Sequence, residues 1–69
     1  MKIGFIGSGN MGGAIARGIV KSGVVPGKDV YLYDVDPAAS EALARDTGGT
    51  AVKTARELTD AAEMFVLAV

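Results

Sequence analysis

The pattern of apolar and polar residues divides the chain into short segments of two kinds. Apolar runs of strand length occupy residues 2–6, 29–34 and 64–69, and a weaker run occupies residues 50–52. In the segments between them, apolar residues recur every three or four positions, which is the period of an amphipathic helix. The pattern therefore predicts a strand followed by a helix, three times in succession, and then a fourth strand.

The first predicted helix has one apolar face and a clear end. Gly23 suits the position just beyond a helix, where a left-handed backbone conformation is common. The helix is expected to direct Arg17 and Lys21 to solvent. Its buried face is predicted to hold Met11, Ala14, Ile15, Gly18, Ile19 and Ser22.

Capping residues set the limits of the other two helices. The dipeptide Asp36-Pro37 has the residue types preferred at the N-cap and at the first position of a helix, and Gly48-Gly49 closes that helix. Thr54 and Glu57 form a capping-box pattern, so a third helix is expected over residues 55–62.

A glycine-rich turn joins the first predicted strand to the first helix. Its sequence, Gly7-Ser8-Gly9-Asn10-Met11-Gly12, has the spacing of a dinucleotide-phosphate loop in its proper context. Gly7 permits the tight turn, Gly9 lets a pyrophosphate approach the backbone, and Gly12 lets the helix pack closely on the strand. The backbone N–H groups of Gly9, Asn10 and Met11, at the positive end of the helix dipole, are predicted to bind the pyrophosphate.

Asp34 provides a second feature of the same kind of site. It ends the second predicted strand and follows Gly12 at about the 20-residue distance where a carboxylate accepts hydrogen bonds from an adenosine ribose. The alternative is that Asp34 is a solvated loop residue. A glycine turn followed by an acid at the expected sequence distance favours the dinucleotide site.

These features predict an α/β fold of the Rossmann type. Its open parallel sheet has four strands in the order 3-2-1-4 and three helices, with the first two helices on one face and the third on the other. The continuous apolar run 64–69 is typical of a central parallel strand that is covered on both faces. The phosphate loop is expected at the carboxyl edge, at the switch point between the first and fourth strands.

Composition narrows the possible partners. A chain of 69 residues forms at most one small domain, and a hydrophobic content of 49% is that of a globular protein. The net charge of −1 comes from scattered acids and bases, so nucleic acid is not expected as a partner. No membrane span or secretory signal is expected, and without cysteine or histidine the sequence lacks the usual zinc ligands, so no metal is expected. The absence of cysteine is compatible with a cytoplasmic location.

The amino-acid sequences of these motifs resemble those of one enzyme family. Residues 3–12, followed by Ala14-Ile15 and Gly18, resemble the opening of pyrroline-5-carboxylate reductases, and residues 66–69 resemble a later segment of that family. The resemblance implies a cytoplasmic oxidoreductase of proline biosynthesis, which reduces the C=N bond of 1-pyrroline-5-carboxylate with NAD(H) or NADP(H). It also implies that residues 1–69 are the N-terminal part of the dinucleotide-binding domain, and that the rest of this domain and a helical domain for substrate and homo-oligomer formation lie further along. No catalytic residue is assigned to this chain, which is expected to be inactive alone.

Val35 bears on the choice of nucleotide. Phosphate-preferring members of the family carry an arginine just after the second strand, where this sequence has Val35 between Asp34 and Asp36. A 2′-phosphate would meet two carboxylates there, so NAD(H) is favoured over NADP(H). The alternative is that Lys53 neutralises the phosphate.

The remaining site residues each have two interpretations. Ser8 donates to phosphate or is simply small, Asn10 binds cofactor or caps the helix, and Met11 contacts ligand or belongs to the core. Ala68 and Val69 pack against the nicotinamide side or form part of the sheet core. Two other functions are also compatible with the sequence, namely the same part of another imine or hydroxy-acid reductase and a nucleotide-binding module without catalysis.

Overall fold

The elements follow one another in the order that the sequence predicts. The computed structural model describes residues 1–7 and 10–67, with only the backbone described for residues 10–12. Three helices and four strands alternate in this part, with a short 3₁₀ turn before the second strand. They are β1 (Ile3–Ile6), α1 (Asn10–Lys21), the 3₁₀ turn (Gly27–Asp29), β2 (Val30–Tyr33), α2 (Pro37–Thr47), β3 (Thr50–Ala51), α3 (Ala55–Ala61) and β4 (Met64–Leu67).

The four strands form one parallel sheet. Their spatial order is β3-β2-β1-β4, which confirms the predicted 3-2-1-4 arrangement. In this register Ile6 lies between Tyr33 of β2 and Leu67 of β4. The carboxyl ends of these three strands therefore meet at one edge of the sheet.

One face of the sheet carries the main hydrophobic core. Phe5, Val30 and Leu32 are fully buried there, together with Ala16 of α1 and Leu43 of α2. Because side chains alternate between the faces of a strand, these residues all point to the side that α1 and α2 cover. Burial of a large apolar side chain stabilises a fold by about 1.5–3 kcal/mol, so this cluster is a major source of stability.

The third helix covers the opposite face. Gly4 alternates with Ile3 and Phe5, and a Cβ atom placed on Gly4 would lie 2.9 Å from Cγ of Leu58 and 3.1 Å from Cβ of Ala62. Glycine at this position thus lets α3 approach β1 closely. The two-sided arrangement agrees with the Rossmann-type prediction.

The caps of α2 and α3 also follow the sequence. The side chain of Asp36 accepts a hydrogen bond from the N–H of Ala38 at 3.1 Å, and Gly48 ends α2 in the left-handed conformation with a φ of 76°. The α3 capping box forms in both directions between Thr54 and Glu57. These contacts are local, so sequence spacing alone could predict them.

The buried face of α1 agrees with the prediction at Ile19, which packs against the core, but differs at other positions. Ala14, Gly18 and Ser22 are exposed, as is Ile15 at 37%, whereas Ala16 is fully buried. Moving one position along a helix rotates the side chain by about 100°. The helix therefore packs through the small residues Gly13 and Ala16 together with Ile19 and Val20. The side chain of Met11 lies outside the described residues.

Strand β4 differs from the prediction of a strand covered on both faces. Met64 is 49% exposed, Phe65 is 42% exposed and Leu67 is 70% exposed. In the described part of the chain β4 pairs with β1 alone and forms an edge of the sheet. An apolar run is compatible with a covered strand, but only the packing of other elements can cover it.

Among residues 1–7 and 10–67, no helix combines the length and the apolar character that crossing a membrane requires.

Candidate functional site at the carboxyl edge of the sheet

The glycine turn is attached directly to the end of the second strand. The N–H of Gly7, the residue after β1, donates a hydrogen bond to the carbonyl oxygen of Tyr33 at 2.9 Å. Asp34 is the next residue after Tyr33. The first glycine of the motif and the predicted ribose acceptor therefore lie at neighbouring strand ends, as the sequence predicts.

Gly7 has a backbone conformation that suits glycine. Its φ is 90°, and no described residue other than glycine has a positive φ. An L side chain at this angle would strain the backbone. The positive φ agrees with the role predicted for the first glycine of the motif, and α1 begins three residues later at Asn10.

Several predicted cofactor contacts cannot be placed. Ser8, Gly9, Ala68 and Val69 lie outside the described residues. For Asn10, Met11 and Gly12 the structure describes only a helical backbone at the start of α1. An α-helix of 12 residues carries a positive dipole end and orphan N–H groups in its first turn, where the sequence predicts the pyrophosphate.

Asp34 and Asp36 have different surroundings although they are two residues apart. Oδ1 of Asp34 accepts a hydrogen bond from the N–H of Asp36 at 2.8 Å, which forms a turn that orients the Asp34 carboxylate. The carboxylate of Asp36 caps α2. Val35 between them is 89% exposed. Asp36 thus caps the helix, while Asp34 forms part of the lining of a cavity.

A cavity lies beside Asp34 that the sequence did not predict as a unit. Its volume is about 290 Å³, and α2 forms one wall while the end of β3 and the residues after it form the other. It is lined by Asp34, Pro37, Ser40, Glu41, Ala51, Val52 and Lys53. Sequence reasoning named Asp34 and Lys53 but missed Glu41. The signal was present, since Glu41 lies one turn inside a helix that starts at this edge.

Arg17 is exposed, as predicted, and it also forms an ion pair. Its Nη2 lies 2.8 Å and its Nε lies 3.2 Å from Oδ2 of Asp46, which joins α1 to α2. Both side chains are about half exposed, at 55% and 53%. The pair lies in a second hollow, between α1 and α2, that does not include Asp34. The pair therefore links the two helices at the surface, and neither residue lines the cavity beside Asp34.

Comparison with known proteins assigns the chain to a family. Residues 2–69 match the family model described as "NADP oxidoreductase coenzyme F420-dependent". The chain is also 42% identical over 69 residues to proteins named pyrroline-5-carboxylate reductase from Escherichia coli (strain K12) and from Shigella flexneri. The alignment covers 99% of this chain and 25% of each relative, so the chain spans about a quarter of their length.

A solved structure has a similar fold. It is the V8 variant of an imine reductase from Myxococcus stipitatus, in complex with NAD+. The TM-score is 0.80 at 26% sequence identity, and the match covers 99% of this chain and 22% of that one. The similarity therefore concerns one part of a longer reductase.

Proposed function

The chain belongs to the family described as "NADP oxidoreductase coenzyme F420-dependent", and on this basis we propose that it binds the nicotinamide dinucleotide of an NAD(P)-dependent reductase. The observation that carries the proposal is the junction at the carboxyl edge, where the N–H of Gly7 reaches Tyr33 beside Asp34. In an open α/β sheet, the crevice outside the carboxyl ends of the strands is the ligand site. When bound, the nicotinamide supplies a hydride.

The proposed substrate is 1-pyrroline-5-carboxylate, whose C=N bond would be reduced to give proline. Support comes from the two relatives with 42% identity that carry the name of this reductase. On this proposal, residues 1–69 form the N-terminal part of the dinucleotide-binding domain. The substrate site and the contacts between subunits would then belong to other parts of a longer protein.

A second candidate is reduction of a different imine. It is favoured by the similarity to the imine reductase, which is in complex with NAD+. The two candidates are distinguished by assaying the protein that carries this chain with 1-pyrroline-5-carboxylate and with a panel of cyclic imines. We expect the highest kcat/KM for 1-pyrroline-5-carboxylate, and a clear preference for another imine would contradict the first candidate.

For the cofactor we propose NAD(H) in preference to NADP(H). Asp34, oriented by the N–H of Asp36 at 2.8 Å, would accept hydrogen bonds from the ribose hydroxyls. Val35 supplies no positive charge for a 2′-phosphate. A charge-assisted hydrogen bond contributes about 1.5–3 kcal/mol, which corresponds to at least about tenfold in affinity.

The double variant Asp34→Ser with Val35→Arg tests this preference. We expect the parent protein to bind NADH more tightly than NADPH, and the double variant to reverse the order because an arginine would then face the phosphate. Fluorescence titration with both nucleotides measures the two affinities. A parent that already prefers NADPH, or a folded double variant with an unchanged preference, would show that Asp34 does not bind the ribose.

A further inference from the structure

We infer that the cavity beside Asp34 receives the 2′ substituent of the adenosine ribose, and that Glu41 is a specificity-determining residue that disfavours a 2′-phosphate there. The inference rests on the proposed function, because it concerns the nucleotide that the carboxyl edge would bind. It adds to that proposal a residue of α2 and a residue after β3, neither of which belongs to the glycine turn or to the end of β2.

The position of the cavity supports this assignment. Asp34, the proposed ribose acceptor, forms part of its lining, so a group attached to the ribose would be at its mouth. A volume of about 290 Å³ exceeds what a phosphate group requires. The size of the cavity therefore does not exclude NADP(H), and selection has to come from its charges.

The charges around the cavity are unfavourable for an anion. Asp34 and Glu41 are acidic, and Lys53 is the one basic residue in the lining. The lining thus holds two acidic residues and one basic residue, which is unfavourable for an anion.

The polar groups deeper in the wall contribute little to binding an anion. Ser40 is 2% exposed, and its hydroxyl donates to the carbonyl oxygen of Pro37 at 3.1 Å. Lys53 is therefore the cation that would partly offset the acids, and Glu41 is the acid whose removal changes the balance without affecting Asp34 or a cap.

The expected size of the effect follows from Coulomb's law. The repulsion between two like charges weakens as their distance and the effective dielectric constant rise, and a phosphate monoester carries nearly two charges. Glu41 is exposed, which places it towards the weak limit. Removing its charge should therefore change the affinity for NADPH by about threefold to tenfold.

The test uses Glu41→Gln with Asp60→Asn as the matched control. Both variants remove one negative charge, but Asp60 lies in α3, on the other face of the sheet and outside the cavity lining. Titration with NADH and NADPH at low ionic strength should show that Glu41→Gln raises the ratio of NADPH affinity to NADH affinity by about threefold to tenfold. Asp60→Asn should leave this ratio unchanged, and high salt should reduce the difference between Glu41→Gln and the parent.

The variant Lys53→Gln tests the opposite change, because it removes the positive charge from the cavity lining. It should weaken binding of NADPH severalfold while the affinity for NADH stays the same. If both nucleotides bind but the ratio is the same in the parent, Glu41→Gln and Lys53→Gln, the inference is wrong and the proposed function stands. If a folded parent binds neither nucleotide, the proposed function and the inference fall together.

Discussion

Two glycines of this chain, Gly7 and Gly18, have backbone conformations that differ in whether they require glycine. Gly7 has a φ of 90°, which an L side chain adopts only with strain. Gly18 lies inside α1, and a Cβ atom placed on it would have no neighbour within 4 Å. The two positions therefore form a pair in which the same substitution has opposite effects.

Gly7→Ala should destabilise the fold by about 1–2 kcal/mol, because alanine pays the cost of a left-handed backbone. Gly18→Ala should stabilise it by about 0.5–1 kcal/mol, because alanine loses less backbone entropy in a helix. Urea denaturation followed by circular dichroism measures both changes. Equal stability of Gly7→Ala and the parent would show that the turn does not require a positive φ.

The sequence was informative at Gly7 and silent at Gly27. The motif around Gly7 has a fixed spacing, so its conformation is predictable. Gly27 belongs to no such motif, yet a Cβ atom there would collide with the carbonyl oxygen of Thr47, at the end of α2. That contact is between residues 20 positions apart along the chain, so no local sequence pattern predicts it.

Helix ends are the most predictable parts of the elements. Asp36 caps α2 with a hydrogen bond of 3.1 Å to the N–H of Ala38, as its residue type and the following proline indicate. The cap depends only on residues close together in sequence. Its contribution can be measured apart from the rest of the fold.

Asp36→Ala should lower the free energy of unfolding by about 0.5–2 kcal/mol, because one N–H at the start of α2 loses its acceptor. Asp36→Ser is the matched control, since serine also accepts a hydrogen bond at an N-cap and should recover most of the loss. Thermal or urea unfolding of the two variants gives the comparison. An alanine variant as stable as the serine variant would rule out a stabilising cap.

The packed side of a helix is less predictable than its ends. The size and spacing of the apolar residues of α1 favoured a face with Ile15, but the structure buries Ala16 instead. Small residues contribute little to the hydrophobic pattern of a helix, but they allow it to pack closely against its neighbours. The distance between α1 and the sheet decides whether a small or a large residue is buried.

The molecule as a whole leaves an apolar strand at one edge of its sheet. Met64, Phe65 and Leu67 of β4 are exposed by 42% or more. Exposed apolar edge strands have unpaired backbone groups and promote pairing with other chains. The 69-residue chain is therefore expected to self-associate through this edge.

Leu67→Lys should weaken this association and leave the fold intact, because Leu67 is 70% exposed and a charge on an edge strand opposes pairing. Val24→Lys is the matched control, since Val24 is 75% exposed in a loop away from β4. Sedimentation velocity over a range of concentrations should show association for the parent and for Val24→Lys only. A parent that stays monomeric at high concentration would refute the prediction.

The sequence by itself determined the succession of strands and helices, the caps of α2 and α3 and the conformation of Gly7. Through the glycine motif and Asp34 it also indicated the strand order and the edge of the sheet where the candidate site lies. Each of these depends on residues close together in the chain or on a motif with fixed spacing. Only the tertiary structure decided which side of α1 is buried, that Gly27 touches the end of α2, and that Glu41 and Lys53 border one cavity with Asp34. These features depend on the distances at which separate elements pack, and side-chain volumes set those distances across the whole core.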